Sequence, residues 1–256
     1  MFQEEKRAYS FKPTWLTGNM MQYYLGRHTN AVVFMSGTLH PPMVAPKLLG
    51  IEVADSDYLE VASTFPKERR PIYMRGVVNM SAKTWKEQMP ALIDNLKRIL
   101  DRQRGHRGII HAVSYQLANA IVDGMNDPRL ITHGSTDKEA VIAQFMQSPQ
   151  GTVLVSPSII RGVDLKDDMC RFTIFPKCPF LNLGDKIISA RANAGAFGNM
   201  WYKSEAVQQI VQGSCRGMRH ENDNVDTYII DQKAIDLFTE NVALFPMWFR
   251  EAVMFV

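Results

Sequence analysis

Short, continuous apolar runs alternate along the chain with longer segments in which apolar residues recur every three or four positions. The short runs are typical of buried parallel strands, and the longer segments are typical of amphipathic helices. On this basis we expect strands at 31–35, 72–74, 108–113, 130–133, 152–155, 171–175 and 227–231.

Helices are predicted between most of these strands. The clearest lies at about 83–104, because Trp85, Leu92, Leu96 and Leu100 recur at helical spacing. Further helices are expected at 42–50, 115–125, 136–147, 185–197 and 204–219, and in the aromatic tail after residue 245. Strands that alternate with helices predict βαβ units, and hence an α/β fold with a mainly parallel sheet and helices on both faces.

The composition fits one globular domain. Of the 256 residues, 46% are hydrophobic and 21% are charged, which argues against disorder and allows a large core. We expect residues 31–256 to form the domain and residues 1–30, which mix aromatic with polar side chains, to be a lead-in segment that packs on it. The net charge of +3 is too small to indicate a nucleic-acid partner unless the basic residues cluster.

Cysteine and histidine usage argues against a metal site held by this chain alone. The three cysteines (Cys170, Cys178 and Cys215) form no C-x-x-C pair, and the six histidines show no H-E-x-x-H spacing. No apolar run approaches 18 residues, and the N-terminus lacks the apolar centre of a signal peptide. We therefore expect a cytoplasmic protein in a reducing compartment, with no membrane partner.

Small and hydroxyl residues follow three of the expected strands. In a parallel sheet the carboxyl ends of the strands share one edge, where ligands bind. Hydroxyl and backbone N–H groups at such an edge are common phosphate contacts, although an ordinary strand exit has the same composition. The candidates for contact with a nucleic-acid strand are Ser36, Gly37, Thr38, Ser114, Tyr115 and Ser156. Gly162 follows the strand at 152–155, and Asp164 just beyond it is a candidate for holding a ribose or ordering a cation.

The predicted helix at 204–219 carries the most specific candidate chemistry. With Ser204 as its N-cap, the helix places Gln212, Arg216 and Arg219 at i, i+4 and i+7, and therefore on one face. Two guanidinium groups one turn apart suit a multiply charged oxyanion such as a nucleotide phosphate. A solvated basic helix face is the alternative interpretation.

Four segments, in this order, resemble motifs of the XPD/DinG family of superfamily 2 DNA helicases. They are M-S-G-T-L-H-P for motif III, I-I-H-A-V-S-Y for motif IV, V-S-P-S-I-I-R-G-V-D-L for motif V and Q-G-S-C-R-G-M-R for motif VI. The segment P-F-L-N-L-G-D-K-I-I-S-A-R resembles the stretch that joins the last two motifs. The order and spacing match from about residue 31 to residue 233.

This resemblance implies the C-terminal, second RecA-like motor domain of a helicase that moves on single-stranded DNA. It implies that Arg219 is an arginine finger for ATP bound by the first motor domain, with Arg216 on the same nucleotide and Gln212 helping to position it. Gly162 and Asp164 are expected to face the nucleotide cleft.

The resemblance also assigns roles to the strand-end residues. Thr38, Ser114, Tyr115 and Ser156 are expected to lie near the DNA track or to couple it to the ATP site, and Ser36 and Gly37 belong to the same motif III loop.

Neither G-x-x-x-x-G-K-[ST] nor an Asp-Glu pair of the Walker B kind occurs in the sequence. The full enzyme needs ATP and Mg²⁺, and we expect the missing N-terminal motor domain, in the same or a separate chain, to bind both. The chain alone should not hydrolyse ATP. A catalytically silent DNA-binding or regulatory module is the alternative. A Rossmann-like small-molecule domain is disfavoured because G-x-G-x-x-G is absent.

Overall fold

A seven-stranded sheet forms the centre of the computed structural model, which describes residues 25–158, 163, 165, 167–214 and 216–256. The strands are β1 (Ile72–Val78), β2 (Gly108–His111), β3 (Leu130–Thr132), β4 (Val153–Ser156), β5 (Phe172–Phe175), β6 (Asp226–Asp231) and β7 (Val253–Phe255). Their order is β3-β4-β2-β5-β6-β1-β7, and each neighbouring pair is parallel.

Helices connect most of the strands. They are α1 (Ala45–Leu49), α2 (Trp85–Arg102), α3 (Tyr115–Met125), α4 (Lys138–Gln147), α5 (Lys186–Ala192), α6 (Gly195–Gly213), α7 (Gln232–Glu240) and α8 (Met247–Arg250). Short 3₁₀ segments lie at Val53–Asp55, Lys67–Arg69, Asp167–Met169 and Val242–Leu244.

Alternate residues of the strands pack into different parts of the core. In β6, Tyr228 and Ile230 join the cluster formed with α2 and α3, whereas Ile229 joins the cluster formed with α6 and α7. In β4, Leu154 packs with residues of α4. Successive side chains of a strand point to opposite faces, so helices cover both faces of the sheet, as the sequence predicted. The predicted α/β fold is confirmed.

The strand expected at 31–35 is wrong. No strand is assigned there, and Val33 and Met35 are 82% and 88% exposed. An apolar run is buried as a strand only where a neighbouring strand pairs with its backbone. In the described part of the chain the sheet ends at β3 and β7, and residues 31–35 pair with neither.

The predicted helix at 204–219 is also wrong at both ends. Helix α6 begins nine residues before Ser204, which is fully buried inside it and donates a hydrogen bond to the carbonyl of Trp201 at 2.8 Å. The helix ends at Gly213, and Ser214 then adopts an extended conformation. Arg216 and Arg219 therefore lie beyond the helix and do not share a helical face with Gln212.

The C-terminal tail differs from expectation as well. The aromatic tail was predicted to be helical, but only the short α8 is helical and the last residues form β7. Strand β7 pairs with β1 at the edge of the sheet, and its last two residues are exposed. Most of the expected lead-in segment, residues 1–24, lies outside the described residues.

A close approach between α5 and α6 depends on a glycine. A Cβ atom placed on Gly198 would lie 2.1 Å from the carbonyl oxygen of Arg191, which is a backbone atom with little freedom to move. Only glycine allows the two helices to meet at this distance.

Replacing Gly198 by alanine should lower the free energy of unfolding by about 1–3 kcal/mol, because overpacking against backbone outweighs the better helix propensity of alanine. Chemical denaturation measures this. Gly124→Ala is the control, since its Cβ would meet the mobile end of the Ile93 side chain at 3.1 Å, and it should change the value by less than about 1 kcal/mol. Equal effects of the two substitutions would contradict this interpretation.

His111, at the end of β2, is a fully buried polar residue of the core. Neither of its ring nitrogens has a hydrogen-bond partner among the described residues, and its ring packs against Phe175 at a centroid distance of 4.9 Å. Burial, and then the charge of Arg216, lower the pKa of His111 to about 3, while the backbone of Gly213 and Ser158 opposes part of the change. His111 is therefore neutral in the folded protein at neutral pH.

The stability of the fold should depend on this histidine in mildly acidic solution. Below pH 6.5 His111 becomes protonated in the unfolded chain, whereas in the folded protein it stays neutral down to about pH 3. The free energy of unfolding should therefore fall in this window by up to about 1.4 kcal/mol per pH unit from this group. Denaturation between pH 4.5 and 8 measures the free energy of unfolding of the wild type and of His111→Leu. The difference between the two proteins should be constant above pH 7 and should change below it. If the free energy of unfolding of the two proteins depended on pH in the same way over the whole range, the lowered pKa of His111 would be refuted.

Candidate functional site

An open cavity of about 690 Å³ lies between the end of α6, the loop after it and the segment before β1. Its lining residues are Gly37, Thr38, Ala62, Ser63, Thr64, Phe65, Arg70, Val211, Gln212, Ser214, Arg216, Met218, Arg219 and Trp248. Three of these described residues are arginines, and none is acidic. The cavity is therefore suited to a polyanion.

The motif III loop is joined to the end of α6 at this cavity. Gln212 donates a hydrogen bond from Nε2 to Oγ1 of Thr38 at 2.9 Å, and the amide of Thr38 donates to Oγ of Ser36 at 3.2 Å. Gly37 also lines the cavity. The structure thus brings Ser36, Gly37 and Thr38 together with Gln212, although residues 38 and 212 are far apart in sequence.

Arg216 and Arg219 reach the same cavity from the loop that follows α6. Arg216 is partly buried and Arg219 is exposed, and Nη1 of Arg219 donates a hydrogen bond to the carbonyl of Met218 at 2.9 Å. Met218 itself is buried and anchors the loop between the two arginines. The predicted convergence of Gln212, Arg216 and Arg219 occurs around a cavity rather than along a helix.

Sequence reasoning missed Arg70, whose side chain is almost completely buried in one wall of the cavity. It donates hydrogen bonds to the carbonyls of Phe65, at 3.0 Å, and of Trp248, and it forms an ion pair with Glu251. The guanidinium also lies 5.5 Å from the centre of the Trp248 ring. These partners hold Arg70 in the wall. Nothing in the run K-E-R-R-P distinguished it from a surface arginine.

The other candidate residues form a second group, at the carboxyl ends of β2 and β4. Oγ of Ser114 accepts a hydrogen bond from the amide of Leu117 at 3.2 Å and caps α3, whose first residue, Tyr115, is 47% exposed. The Tyr115 ring meets His133 edge-on at 6.3 Å, and Nε2 of His133 lies 3.1 Å from Oγ of Ser156. The fully buried Ser156 can influence a bound strand only through its neighbours.

His111 lies between the two groups. It is paired with Ser156 in the register of β2 and β4, and the charge of Arg216 acts on its ring. A Cβ atom on Gly213 would lie 3.2 Å from Nε2 of His111, so the end of α6 is in close contact with the end of β2. The surface carrying Tyr115 and the cavity carrying Arg216 are therefore connected through buried side chains.

The remaining candidates do not change this description. Gly162 and Asp164 lie outside the described residues, and their roles stay predictions. Among the described residues, the possible metal ligands Asp167, His220 and Asp223 have ligand atoms within 4.8 Å of one another. Asp223 already accepts hydrogen bonds from the backbone and from Arg171, so we assign no metal there.

ATP, which the sequence resemblance implies, fits the chemistry of the cavity, because guanidinium and hydroxyl groups bind phosphate oxygens. Mg²⁺ does not fit it, since its preferred carboxylate ligands are absent from the described lining. A helix long and apolar enough to cross a membrane is not found in the described part of the chain.

Comparison with known proteins shows the family of the chain. The helicase C-terminal domain family matches residues 96–252, more than half of the chain. ATP-dependent DNA helicase CHL1 of Saccharomyces cerevisiae (strain YJM789) is 21% identical, over 88% of this chain and 31% of its own length. ATP-dependent DNA helicase YoaA of Escherichia coli (strain K12) is 24% identical, over 73% of this chain and 30% of its own length. The chain thus spans about a third of these relatives.

Solved structures show the same fold. Xpd4 of S. tokodaii superposes with a TM-score of 0.61 at 16% identity, covering 89% of this chain and 45% of that one. The structure described as XPD_APO superposes with a TM-score of 0.65 at 16% identity, covering 92% of this chain and 51% of that one. The family match covers more than half of the chain and the sheet agrees with it. The chain therefore belongs to the helicase C-terminal domain family, as the second RecA-like domain of an XPD/DinG-like helicase.

Proposed function

We propose that this chain is the second motor domain of an ATP-dependent helicase that translocates on single-stranded DNA. In this proposal, the cavity faces ATP held by a first motor domain. The observation that carries it is a cavity lined by Arg216 and Arg219, with no acidic residue among its described lining. The relatives CHL1 and YoaA are named as ATP-dependent DNA helicases, which supports the same activity for the whole protein.

Arg219 is the proposed arginine finger. Its exposed position and its place in a loop at the mouth of the cavity leave it able to meet a phosphate presented by another domain. A guanidinium at that position stabilises charge on the oxygens of the transferring phosphoryl group. Arg216 is partly buried and is proposed to bind the same nucleotide, while the hydrogen bond from Gln212 to Thr38 holds the two sides of the cavity together.

The lining of the cavity suggests which groups each motor domain supplies for phosphoryl transfer. Lysine and magnesium ligands for phosphoryl transfer are proposed to come from the first motor domain, which also holds the attacking water. This chain then supplies positive charge and closes the cleft. ATP binding would thereby bring the two domains together, and hydrolysis would release them.

Arg219→Ala should reduce DNA-stimulated ATP turnover by about 10³–10⁵-fold in the protein that combines this chain with its first motor domain. The affinity for single-stranded DNA should stay within about twofold, because the finger contacts only the nucleotide. A coupled assay of ATP hydrolysis and a fluorescence titration with labelled oligonucleotide measure the two effects. Arg98→Ala is the matched control, since Arg98 is an exposed arginine on α2 paired only with Asp94 among the described residues.

Equal losses of DNA affinity and of turnover in Arg219→Ala would contradict the finger assignment. Turnover that stays at the wild-type rate would favour the alternative of a silent DNA-binding or regulatory module. The chain alone should show no ATP hydrolysis, and turnover by it alone would reveal a nucleotide site of a different kind.

The proposed DNA track follows the edge that carries Ser114 and Tyr115. Tyr115 offers an exposed aromatic ring at the start of α3, beside a helix N-terminus where backbone amides attract phosphates. Aromatic side chains stack on bases irrespective of sequence, as a translocating enzyme requires. Ser156 and His133 lie directly behind this ring and are proposed to transmit its position to His111 and Arg216.

Tyr115→Ala should weaken binding of single-stranded DNA by about tenfold, the effect of losing one stacked base. The affinity of both proteins should fall steeply with salt, and the two salt slopes should be equal, because Tyr115 contacts no phosphate. Titrations between 50 and 300 mM salt measure this. Tyr58→Ala, which removes another exposed tyrosine, is the control. A shallower slope for Tyr115→Ala, or unchanged affinity, would contradict the stacking role.

A further inference from the structure

We propose that Asp223 is a positioning residue for the arginine finger. The proposal rests on the proposed function, because it assigns to Asp223 the task of fixing the backbone from which Arg219 projects. Asp223 does not line the cavity, and it acts through Arg219 rather than on the nucleotide.

The carboxylate of Asp223 accepts hydrogen bonds from the finger's own backbone. Oδ2 accepts from the amide of Arg219 at 2.8 Å and from the amide of His220 at 3.0 Å. The side chain of Asp223 is completely buried, although the residues it binds lie at the surface. The main chain of the exposed Arg219 is thus hydrogen-bonded to a buried carboxylate. The Arg219 side chain is exposed, while its main chain is held in place.

The other oxygen of Asp223 ties this loop to the segment that follows motif V. Oδ1 accepts a hydrogen bond from Nη1 of Arg171 at 3.1 Å, and Nε of Arg171 donates to Oδ1 of Asp168 at 2.9 Å. A second link runs from Nε2 of His220 to Oδ1 of Asp167, at 2.8 Å. The 3₁₀ segment Asp167–Met169 and the arginine loop are therefore joined by a chain of ion pairs in which Asp223 is the buried member.

Asp223 is ionised in this network. Burial raises the pKa of its carboxyl, but the amides of Arg219 and His220 and the guanidinium of Arg171 outweigh it and bring the pKa below its ordinary value. A charged acceptor forms stronger hydrogen bonds to backbone amides than a neutral one. The negative charge therefore adds to the rigidity of the attachment.

A second anchor lies on the other side of Arg219. A Cβ atom on Gly217 would lie 2.0 Å from the carbonyl oxygen of Cys170, so the loop passes directly against the residue before Arg171. Met218 is buried as well. With Gly217 and Met218 fixed before it and Asp223 binding it from behind, Arg219 is an exposed side chain on a fully supported backbone.

Rigid support matters because a finger acts only when it is correctly placed. A misplacement of about 1 Å in a catalytic group can cost about 100-fold in rate. Replacing Asp223 by asparagine removes the negative charge and one of the two acceptor oxygens. The two backbone amides and the Arg171 guanidinium can then no longer all be satisfied, and Arg219 can shift. The loss should appear in the chemical step, since the cavity wall that holds the rest of the nucleotide is untouched.

The test compares Asp223→Asn in two backgrounds of the protein that combines this chain with its first motor domain. In the wild-type background, kcat for DNA-stimulated ATP hydrolysis should fall about 10–100-fold, with little change in KM for ATP or in DNA affinity. In the Arg219→Ala background the same substitution should cause no further loss of kcat, because the group it positions is gone. Asp94→Asn on α2, an exposed acid paired with Arg98, is the control and should leave kcat unchanged.

Equal losses in both backgrounds would show that Asp223 supports the fold in general and would overturn its positioning role. An unchanged kcat for Asp223→Asn in the wild-type background would overturn it too. If Arg219→Ala itself turns over at the wild-type rate, the proposed function fails and the role of Asp223 fails with it. Should Asp223→Asn lose its cooperative thermal transition, Asp223→Ser, which keeps a neutral hydroxyl acceptor, takes its place in the same comparison.

Discussion

Parallel pairing of the strands is the constraint on which the surface around Tyr115 depends. Because β2 and β4 run in one direction, their carboxyl ends meet at a single edge, and the loops that follow them begin there. Residues far apart in sequence, such as Tyr115 and Ser156, become neighbours without any dedicated contact to recruit them. The fold therefore determines which side of the molecule can carry chemistry before any particular side chain is chosen.

Neighbouring arginines impose a second constraint, because positive charges in a small volume repel one another. The structure compensates them individually. Arg70 is neutralised by Glu251, and Arg171 is neutralised by Asp168 and Asp223. Arg216 also acts on its surroundings, because its charge helps to keep His111 unprotonated. Acidic partners thus compensate the charge of Arg70 in the cavity wall and of Arg171 in the support behind the arginine loop.

Local pattern predicted most of the elements but not how they end. The strands at 72–74, 108–113 and 152–155 and the long helix at 83–104 were visible because their apolar residues have one clear period, and the structure contains all of them. The end of α6 was not visible, since Gln212 to Arg219 has acceptable helical spacing. The helix ends at Gly213, where a Cβ atom would collide with Phe175 and His111, two residues distant in sequence.

The candidate residues also divide into those that local sequence predicts and those that depend on tertiary contacts. Gln212, Thr38 and the two arginines were found because motifs mark them, although the geometry first inferred for them was wrong. Arg70 and Asp223 were missed, since a buried role for a charged residue depends on tertiary partners such as Glu251 and Arg171. The strand predicted at 31–35 was wrong for a related reason. Its apolar residues resemble a buried strand, but a strand also needs a neighbouring strand to pair with, and the local pattern cannot show whether one is present.

The edge position of β7 has a consequence for any shortened version of the chain. Residues 253–255 pair with Ile72–Met74, and Val256 donates a final hydrogen bond to Met74. Removing residues 253–256 would turn β1 from an interior strand into the outermost one and present its unsatisfied N–H and C=O groups to solvent. Open strand edges pair with other copies of themselves. A deletion of a few terminal residues would therefore replace a three-residue edge strand by a seven-residue one, and we expect it to promote self-association through the sheet.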